Sequence, residues 1–68
     1  MKKAYDVANY FILLWKGTED AVSNLKLNKL LYFAQGYAYA KLGRPLFSDK
    51  IEAWDLGPVV RDVYKKYQ

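Results

Sequence analysis

The sequence predicts a mainly α-helical domain, with three main helices around a central buried helix. Residues 25–42 contain no proline and a single glycine, and leucine and alanine recur there at the i, i+3, i+4, i+7 spacing of one helix face. Aromatic residues lie on the flanks of this apolar stripe, and apolar groups around most of a circumference are typical of a buried helix. We therefore expect one helical domain over residues 1–68, in which the other segments cover this helix.

The segment before the central helix predicts a first helix and a short turn. Apolar residues share one face between Tyr5 and Lys16, and Gly17 supplies a left-handed stop. Thr18 is a plausible N-cap for a short helical turn over 18–22. Ser23 or Asn24 then caps the central helix, whose expected span is about 24–42.

Three residues inside the central helix stand apart from the apolar pattern. Gly36 costs about 1 kcal/mol relative to alanine in a helix interior, so it indicates close approach of another helix. Asn28 and Gln35 are seven residues apart and have two interpretations, as hydrogen-bond partners of buried backbone groups or as contacts for a partner. Gly43 ends the helix in the left-handed conformation.

After the central helix, the sequence predicts a β-like segment and a third helix. The Arg44-Pro45 pair enforces an extended exit. A short hairpin or irregular crossing is expected at about 46–54, where apolar and polar residues alternate around a Ser-Asp-Lys turn. Pro58 suits the first position of the third helix, which reaches the end of the sequence without a stop signal.

Composition disfavours several classes of function. The net charge is +4, but the eleven basic residues are scattered and only two are arginines, so nucleic-acid binding is not favoured. The chain has no histidine and no cysteine, and it therefore lacks the usual proton shuttles and the thiol nucleophile. Only Glu52 and Asp55 are candidates for a carboxylate pair. We expect no catalysis, no cofactor and no metal. No run reaches the ~18 apolar residues of a membrane span, and a cytoplasmic location is expected.

Several motifs occur in the order found in one family. They are LKLNKLLYFAQG from Leu25, the Pro45-Leu46-Phe47 turn, the Glu52-Ala53-Trp54 segment and Gly57-Pro58-Val59. This pattern resembles the Panacea domain family, which includes SocA-like antitoxins and GepA-like phage-associated proteins. The resemblance covers Leu25 to Tyr64, and 5–15 fits the family's leading helix. The family domain usually continues for several more helices, so we expect a truncated, N-terminal part of it.

The resemblance implies a protein-interaction module of a bacterial or prophage toxin–antitoxin locus. Such a module neutralises a toxin by direct binding, and the SocA type also resembles an adaptor that delivers its toxin to a protease. On this interpretation the candidate partner-binding residues are Tyr32, Gln35, Trp54, Gly57, Pro58 and Tyr64.

Other interpretations of the sequence stay open. One is an enzyme whose active site is completed by downstream sequence, although the absence of histidine and cysteine counts against it. The candidate residues have a structural explanation, since the glycine and proline shape a loop and the aromatic residues fill core. The high aromatic content predicts a homo-oligomer through exposed apolar faces. A helical DNA-binding domain that autoregulates its own locus is the alternative function, and it requires an affinity that falls steeply with salt.

Overall fold

The computed structural model describes residues 2–15 and 23–67, excluding the side chain of Trp15. Helix α1 spans Ala4–Trp15 and helix α2 spans Asn24–Leu42. Strands β1 (Glu52–Trp54) and β2 (Gly57–Val59) form an antiparallel hairpin, and helix α3 spans Arg61–Lys66. The mainly helical class with a small β element is confirmed. The predicted stop at Gly17 and the turn capped by Thr18 lie outside the described residues.

Both ends of α2 have the predicted signals. Ser23 is the N-cap, and its Oγ accepts a hydrogen bond of 3.1 Å from the backbone N–H of Lys26. Gly43 is the C-cap with φ of 70°, and its N–H donates to the carbonyl of Tyr39 at 3.0 Å. Since a side chain disfavours this left-handed conformation, glycine suits the position. The observed span of α2 matches the expected one.

The prediction that α2 is buried around most of its circumference is wrong. Its buried residues form one face, Leu27, Asn28, Leu31, Gln35 and Ala38. The aromatic residues of the helix are exposed, because α1, α3 and the hairpin all cover the same side. The observed face keeps Leu27, Leu31 and Ala38 of the predicted apolar stripe and adds two polar residues on its flank, Asn28 and Gln35.

Gln35 is buried because its amide completes the hydrogen bonds of the loop that follows α2. Its Oε1 accepts from the backbone N–H of Leu46 at 2.7 Å and of Phe47 at 3.2 Å, and its Nε2 donates to the Phe47 carbonyl at 2.9 Å. Three backbone groups that have no partner in a regular element are thereby satisfied. Of the two interpretations of Gln35, the structure shows the first.

Asn28 performs the same task for the segment between β2 and α3. Its Oδ1 accepts from the buried N–H of Val60 at 2.8 Å, and its Nδ2 donates to the side-chain and backbone oxygens of Asn24 at 2.9 Å. Asn24 in turn donates from its Nδ2 to the carbonyl of Tyr64 at 2.8 Å. Asn28 therefore attaches the segment before α3 to α2, and Asn24 attaches α3 itself.

The hairpin lies later in the chain than predicted, at 52–59 rather than about 46–54. Its register pairs Glu52 with Val59, Ala53 with Pro58 and Trp54 with Gly57. Pro58 therefore lies in a strand and does not begin α3 as predicted. Proline is tolerated there because each strand of a two-stranded hairpin has an unpaired outer edge. An N–H that would point to this edge takes part in no bond between the strands, so its absence from proline costs none.

Residues 46–50 instead anchor α1 to the core. Phe47 is completely buried and forms an isolated parallel bridge with Lys2. Asp49 accepts a hydrogen bond from the N–H of Ala4 at 2.7 Å, which places a carboxylate at the positive N-terminal end of α1. The core then joins the inner faces of the three described helices with this loop, through Ala4, Val7, Ala8, Leu27, Leu31, Phe47, Val60 and Val63.

Candidate protein-binding surface

The side of α2 that faces away from the core carries exposed aromatic rings. Phe33 is 67% exposed and Tyr37 is 66% exposed, and both lie opposite the buried face because of the helical period of 3.6 residues. Tyr32 and Tyr39 lie on one flank and are half exposed or more. The rings of Tyr32 and Phe33 meet edge to face with centroids 5.7 Å apart. Large apolar surface of this kind is unusual on a soluble protein and indicates an interaction site.

A depression of about 710 Å³ lies among these rings, and Gly36 forms part of its floor. Apart from the adjacent residues and the nearby backbone of α2 itself, no atom of the described residues lies within 4 Å of the position that a Cβ on Gly36 would take. The predicted close approach of another helix to this glycine is therefore wrong for the part of the chain that the structure describes. We call this depression the aromatic groove; its lining residues are Tyr32, Phe33, Gln35, Gly36, Tyr37, Tyr39 and Ile51.

A second depression of about 470 Å³ adjoins the aromatic groove and lies against the hairpin. The two share Tyr32 and Ile51, so together they form one continuous surface. We call the second one the hairpin depression; its lining residues are Tyr32, Ile51, Glu52, Ala53, Trp54, Gly57 and Pro58.

The six residues predicted from the sequence lie close together, but in different roles. Tyr32 lines both depressions, and Trp54, Gly57 and Pro58 line the second. The amide of Gln35 is used within the fold, so the residue lines the groove without offering a free polar group. Tyr64 supports the surface from behind, since its half-buried ring packs against Trp54 with centroids 5.1 Å apart.

Gly57 has the backbone conformation that most requires glycine in this surface. Its φ is 129°, which residues with a side chain rarely adopt. A Cβ at this position would lie 3.6 Å from Cε of Lys29, an ordinary van der Waals contact. The requirement for glycine therefore comes from the tight turn between β1 and β2 and not from lack of space.

Glu52 is held by two hydrogen bonds beside the hairpin depression. Its Oε1 accepts from Nε1 of Trp54 at 3.0 Å and from Nη2 of Arg61 at 2.9 Å. The hydrogen bond from Trp54, then that from Arg61, lowers the pKa of Glu52 below its usual value of 4.5. The carboxylate therefore stays ionised at neutral pH and orients the indole that lines the hairpin depression.

The charges on α2 are all positive. The helix carries Lys26, Lys29 and Lys41 and contains neither aspartate nor glutamate. The stem of Lys29 passes Gly57 beside the hairpin depression. The ammonium group of Lys41 lies 6.0 Å from the ring centroid of Tyr37, which lines the aromatic groove. The aromatic groove and the hairpin depression are therefore bordered by positively charged side chains.

Sequence reasoning missed five residues of the aromatic groove, Phe33, Gly36, Tyr37, Tyr39 and Ile51. It assigned the aromatic residues of α2 to buried flanks of the helix. A signal was present, because Asn28 and Gln35 share a face that excludes Phe33 and Tyr37. Recognising the two amides as buried would have placed these rings outside.

Other kinds of site find no support in the residues that are described. Residues 2–15 and 23–67 contain no group of three or more side chains able to hold a metal ion. Over the same residues, no helix combines the length and the apolar character required to cross a bilayer.

Comparisons with known proteins agree with the motif pattern. The family model for "Antitoxin SocA-like, Panacea domain" matches residues 27–68. The chain is similar to Antitoxin SocA of Caulobacter vibrioides (strain NA1000 / CB15N), with 44% identity over 59 residues. The match covers 87% of this chain and 31% of that relative, so the chain spans about a third of its length. No solved structure matches. The chain belongs to the SocA-like antitoxin family that carries the Panacea domain.

Proposed function

We propose that this protein is an antitoxin-type interaction module of a bacterial or prophage toxin–antitoxin system, which neutralises its toxin by direct binding. Family membership supports the class of function. The observation that carries direct binding is the continuous surface formed by the aromatic groove and the hairpin depression. Tyrosine and tryptophan are enriched at the residues that contribute most to protein–protein affinity.

The surface supports binding more than catalysis. Its linings hold a single carboxylate, that of Glu52, which is already paired with Arg61. General acid–base catalysis needs a titratable group positioned toward a substrate, and nucleophilic catalysis needs an activated nucleophile. We therefore propose a non-catalytic role, in which the shape and apolar character of the surface select the partner.

Growth rescue tests this function directly. The candidate toxin is the protein encoded by the gene adjacent to that of this chain. Its expression is induced in a bacterial host with and without the 68-residue chain. We expect the chain to restore growth and to co-purify with the candidate toxin. Tyr32→Ala should weaken binding by about tenfold, the loss typical of an interface anchor. Tyr5→Ala is the matched control, since Tyr5 is 41% exposed but lies on α1, away from the residues that line this surface.

Failure of the wild-type chain both to co-purify with the candidate toxin and to restore growth would contradict direct neutralisation. Equal loss with Tyr32→Ala and Tyr5→Ala would contradict the assignment of the surface. The two results are separate, because the first concerns the function and the second concerns its location.

We further propose that the chain acts as a proteolytic adaptor. This role predicts that the candidate toxin is degraded faster when the chain is present. The half-life of the candidate toxin after protein synthesis is blocked measures this effect directly. If growth is fully restored while the half-life of the candidate toxin is unchanged, the adaptor role is contradicted and direct neutralisation is supported.

Self-association through exposed apolar residues is a separate proposal. On α1, Tyr10, Leu13 and Leu14 are all more than half exposed, and burial of such residues favours a second copy. Light scattering after size exclusion, at low and high salt, should show a dimer or larger that does not depend on salt. A monomer at micromolar concentration would refute this proposal.

A further inference from the structure

We propose that the aromatic groove binds an acidic amphipathic helix, whose apolar side chains pack over Gly36 and whose carboxylates pair with Lys29 and Lys41. This inference rests on the proposed function, and it names the chemistry of the toxin segment that the surface accepts. Three observations carry it: the shape of the groove, the open space at Gly36 and the uniform positive charge of α2.

The shape of the groove fits side chains presented by a helix. Its volume of about 710 Å³ is in the range of pockets that enclose several apolar groups. Tyr32 and Tyr39 line the groove on the flank of α2, Tyr37 lies on the outer face, and Ile51 adds a wall from outside the helix. An amphipathic helix that lies in such a groove inserts residues at i, i+3, i+4 and i+7.

The open space at Gly36 allows close approach. Because no other element within residues 2–15 and 23–67 comes within 4 Å of a Cβ built there, packing among these residues does not explain the glycine. Glycine in the interior of a helix is also unfavourable relative to alanine. A partner that packs onto the backbone of α2 at this point would explain the glycine. Its side chains would occupy the space that the side chain of any larger residue at position 36 would take.

The charge of α2 selects an acidic partner. The helix has three lysines and no carboxylate, so the groove offers no acidic group from its own helix. Lys29 and Lys41 are twelve residues apart, which corresponds to about 18 Å along the helix axis. The nearby carboxylate of Glu52 is neutralised by Arg61. A partner helix with carboxylates near both ends of its contact would therefore be complementary.

The same charges disfavour two other occupants. A second copy would face α2 with another α2, which brings lysines together without a carboxylate to pair with them. Single-stranded nucleic acid also stacks on aromatic rings, but it requires a basic groove that follows its phosphates. Neither described arginine lines the aromatic groove, and Arg61 is paired with Glu52.

Fluorescence anisotropy with a synthetic peptide tests the proposal. The probe is a labelled amphipathic helix of about 16 residues, long enough to span both lysines, with leucine on one face and glutamate elsewhere. The comparison probes are the same peptide with lysine in place of each glutamate, and an oligothymidylate of equal length. We expect the acidic peptide to bind the 68-residue chain at least about tenfold more tightly than either comparison probe.

Two pairs of variants locate the binding. Gly36→Trp fills the groove and should weaken binding of the acidic peptide at least about tenfold, whereas Gly36→Ala adds a single methyl group and should weaken it by a smaller factor, about two- to fourfold. Both replace glycine by a better helix former at an open position, so the helix content measured by circular dichroism should not fall. Combined Lys29→Glu and Lys41→Glu should also weaken binding, and reversal of the exposed Lys65 on α3 is the matched control.

Several outcomes would overturn the proposal. These are equal affinity for acidic and basic peptides, tighter binding of the oligothymidylate, or self-association that Gly36→Trp abolishes. Growth rescue distinguishes this inference from the proposed function. If the wild-type chain and Gly36→Trp rescue growth equally, the groove inference fails and neutralisation stands. If neither rescues growth while the acidic peptide binds in the groove, neutralisation fails and the acidic preference of the groove stands.

Discussion

Replacing Gln35 by leucine tests whether an internal amide holds the loop after α2 in place. Leucine has a similar size but leaves three backbone groups without partners, the N–H groups of Leu46 and Phe47 and the carbonyl of Phe47. Phe47 is fully buried, so water does not replace its lost hydrogen bonds. The loop also carries the Asp49 carboxylate that caps α1, and its displacement would weaken the docking of that helix.

The expected loss of stability is large for a chain of this length. Each stranded buried backbone group costs about 1–3 kcal/mol, and the buried leucine side chain returns about 2 kcal/mol. For three such groups we therefore expect a net loss of about 1–7 kcal/mol in the free energy of unfolding. A domain of 68 residues typically has a total of about 3–10 kcal/mol. The variant should thus lose a substantial fraction of its stability.

Urea denaturation followed by circular dichroism measures this loss. Gln35→Glu is the informative companion, because its carboxylate keeps an acceptor for the two N–H groups but presents a negative oxygen to the Phe47 carbonyl. Protonation at acid pH restores a donor, so this variant should recover relative to Gln35→Leu as the pH falls. A Gln35→Leu variant within about 0.5 kcal/mol of wild type would refute the assigned role.

Three further changes have defined outcomes. Gly57→Ala should lower the free energy of unfolding by about 1–3 kcal/mol because the φ of Gly57 is 129°. Truncation of Lys29 should not restore the stability of this variant. If the double variant recovers, crowding against Lys29 is the cause and not the backbone conformation. Ser23→Ala should lower the free energy of unfolding by about 1 kcal/mol, because it removes the N-cap of α2. Ser23→Asp should keep or raise the urea midpoint, because the first turn has no acidic residue and a negative charge is favourable at a helix N-terminus. Since the pKa of Glu52 is lowered in the folded state, its contribution to stability is present above pH 4.5 and is lost as the pH falls through the lowered pKa. Glu52→Gln should therefore flatten the dependence of the urea midpoint on pH below 4.5, and an unchanged pH profile would contradict the pairing with Arg61.

The parts of the fold that were predicted correctly depend on local signals. Ser23 and Gly43 identify both ends of α2, because capping needs only a side-chain oxygen at one end and a left-handed residue at the other. The hairpin was misplaced because Pro58 fits both a helix start and an edge strand, and the choice depends on pairing with Ala53. Local sequence does not contain that pairing.

The candidate site was predicted in part. Tyr32, Trp54, Gly57 and Pro58 were selected by family resemblance and line one continuous surface in the structure. Gln35 was selected with them, but its amide is used inside the fold. The exposed rings of Phe33 and Tyr37 were missed, because hydrophobic periodicity assigns apolar residues to the interior and does not consider which polar groups the backbone requires there.

The sequence by itself determined the helical class, the span of α2, its caps and the family, since each depends on residue types at short spacing. Only the tertiary structure decided which face of α2 is buried. The backbone groups of Phe47 and Val60 need hydrogen bonds once they leave water, and Gln35 and Asn28 provide them. With these two amides buried beside Leu27 and Leu31, Phe33 and Tyr37 lie on the opposite face of α2, where they line the candidate binding surface.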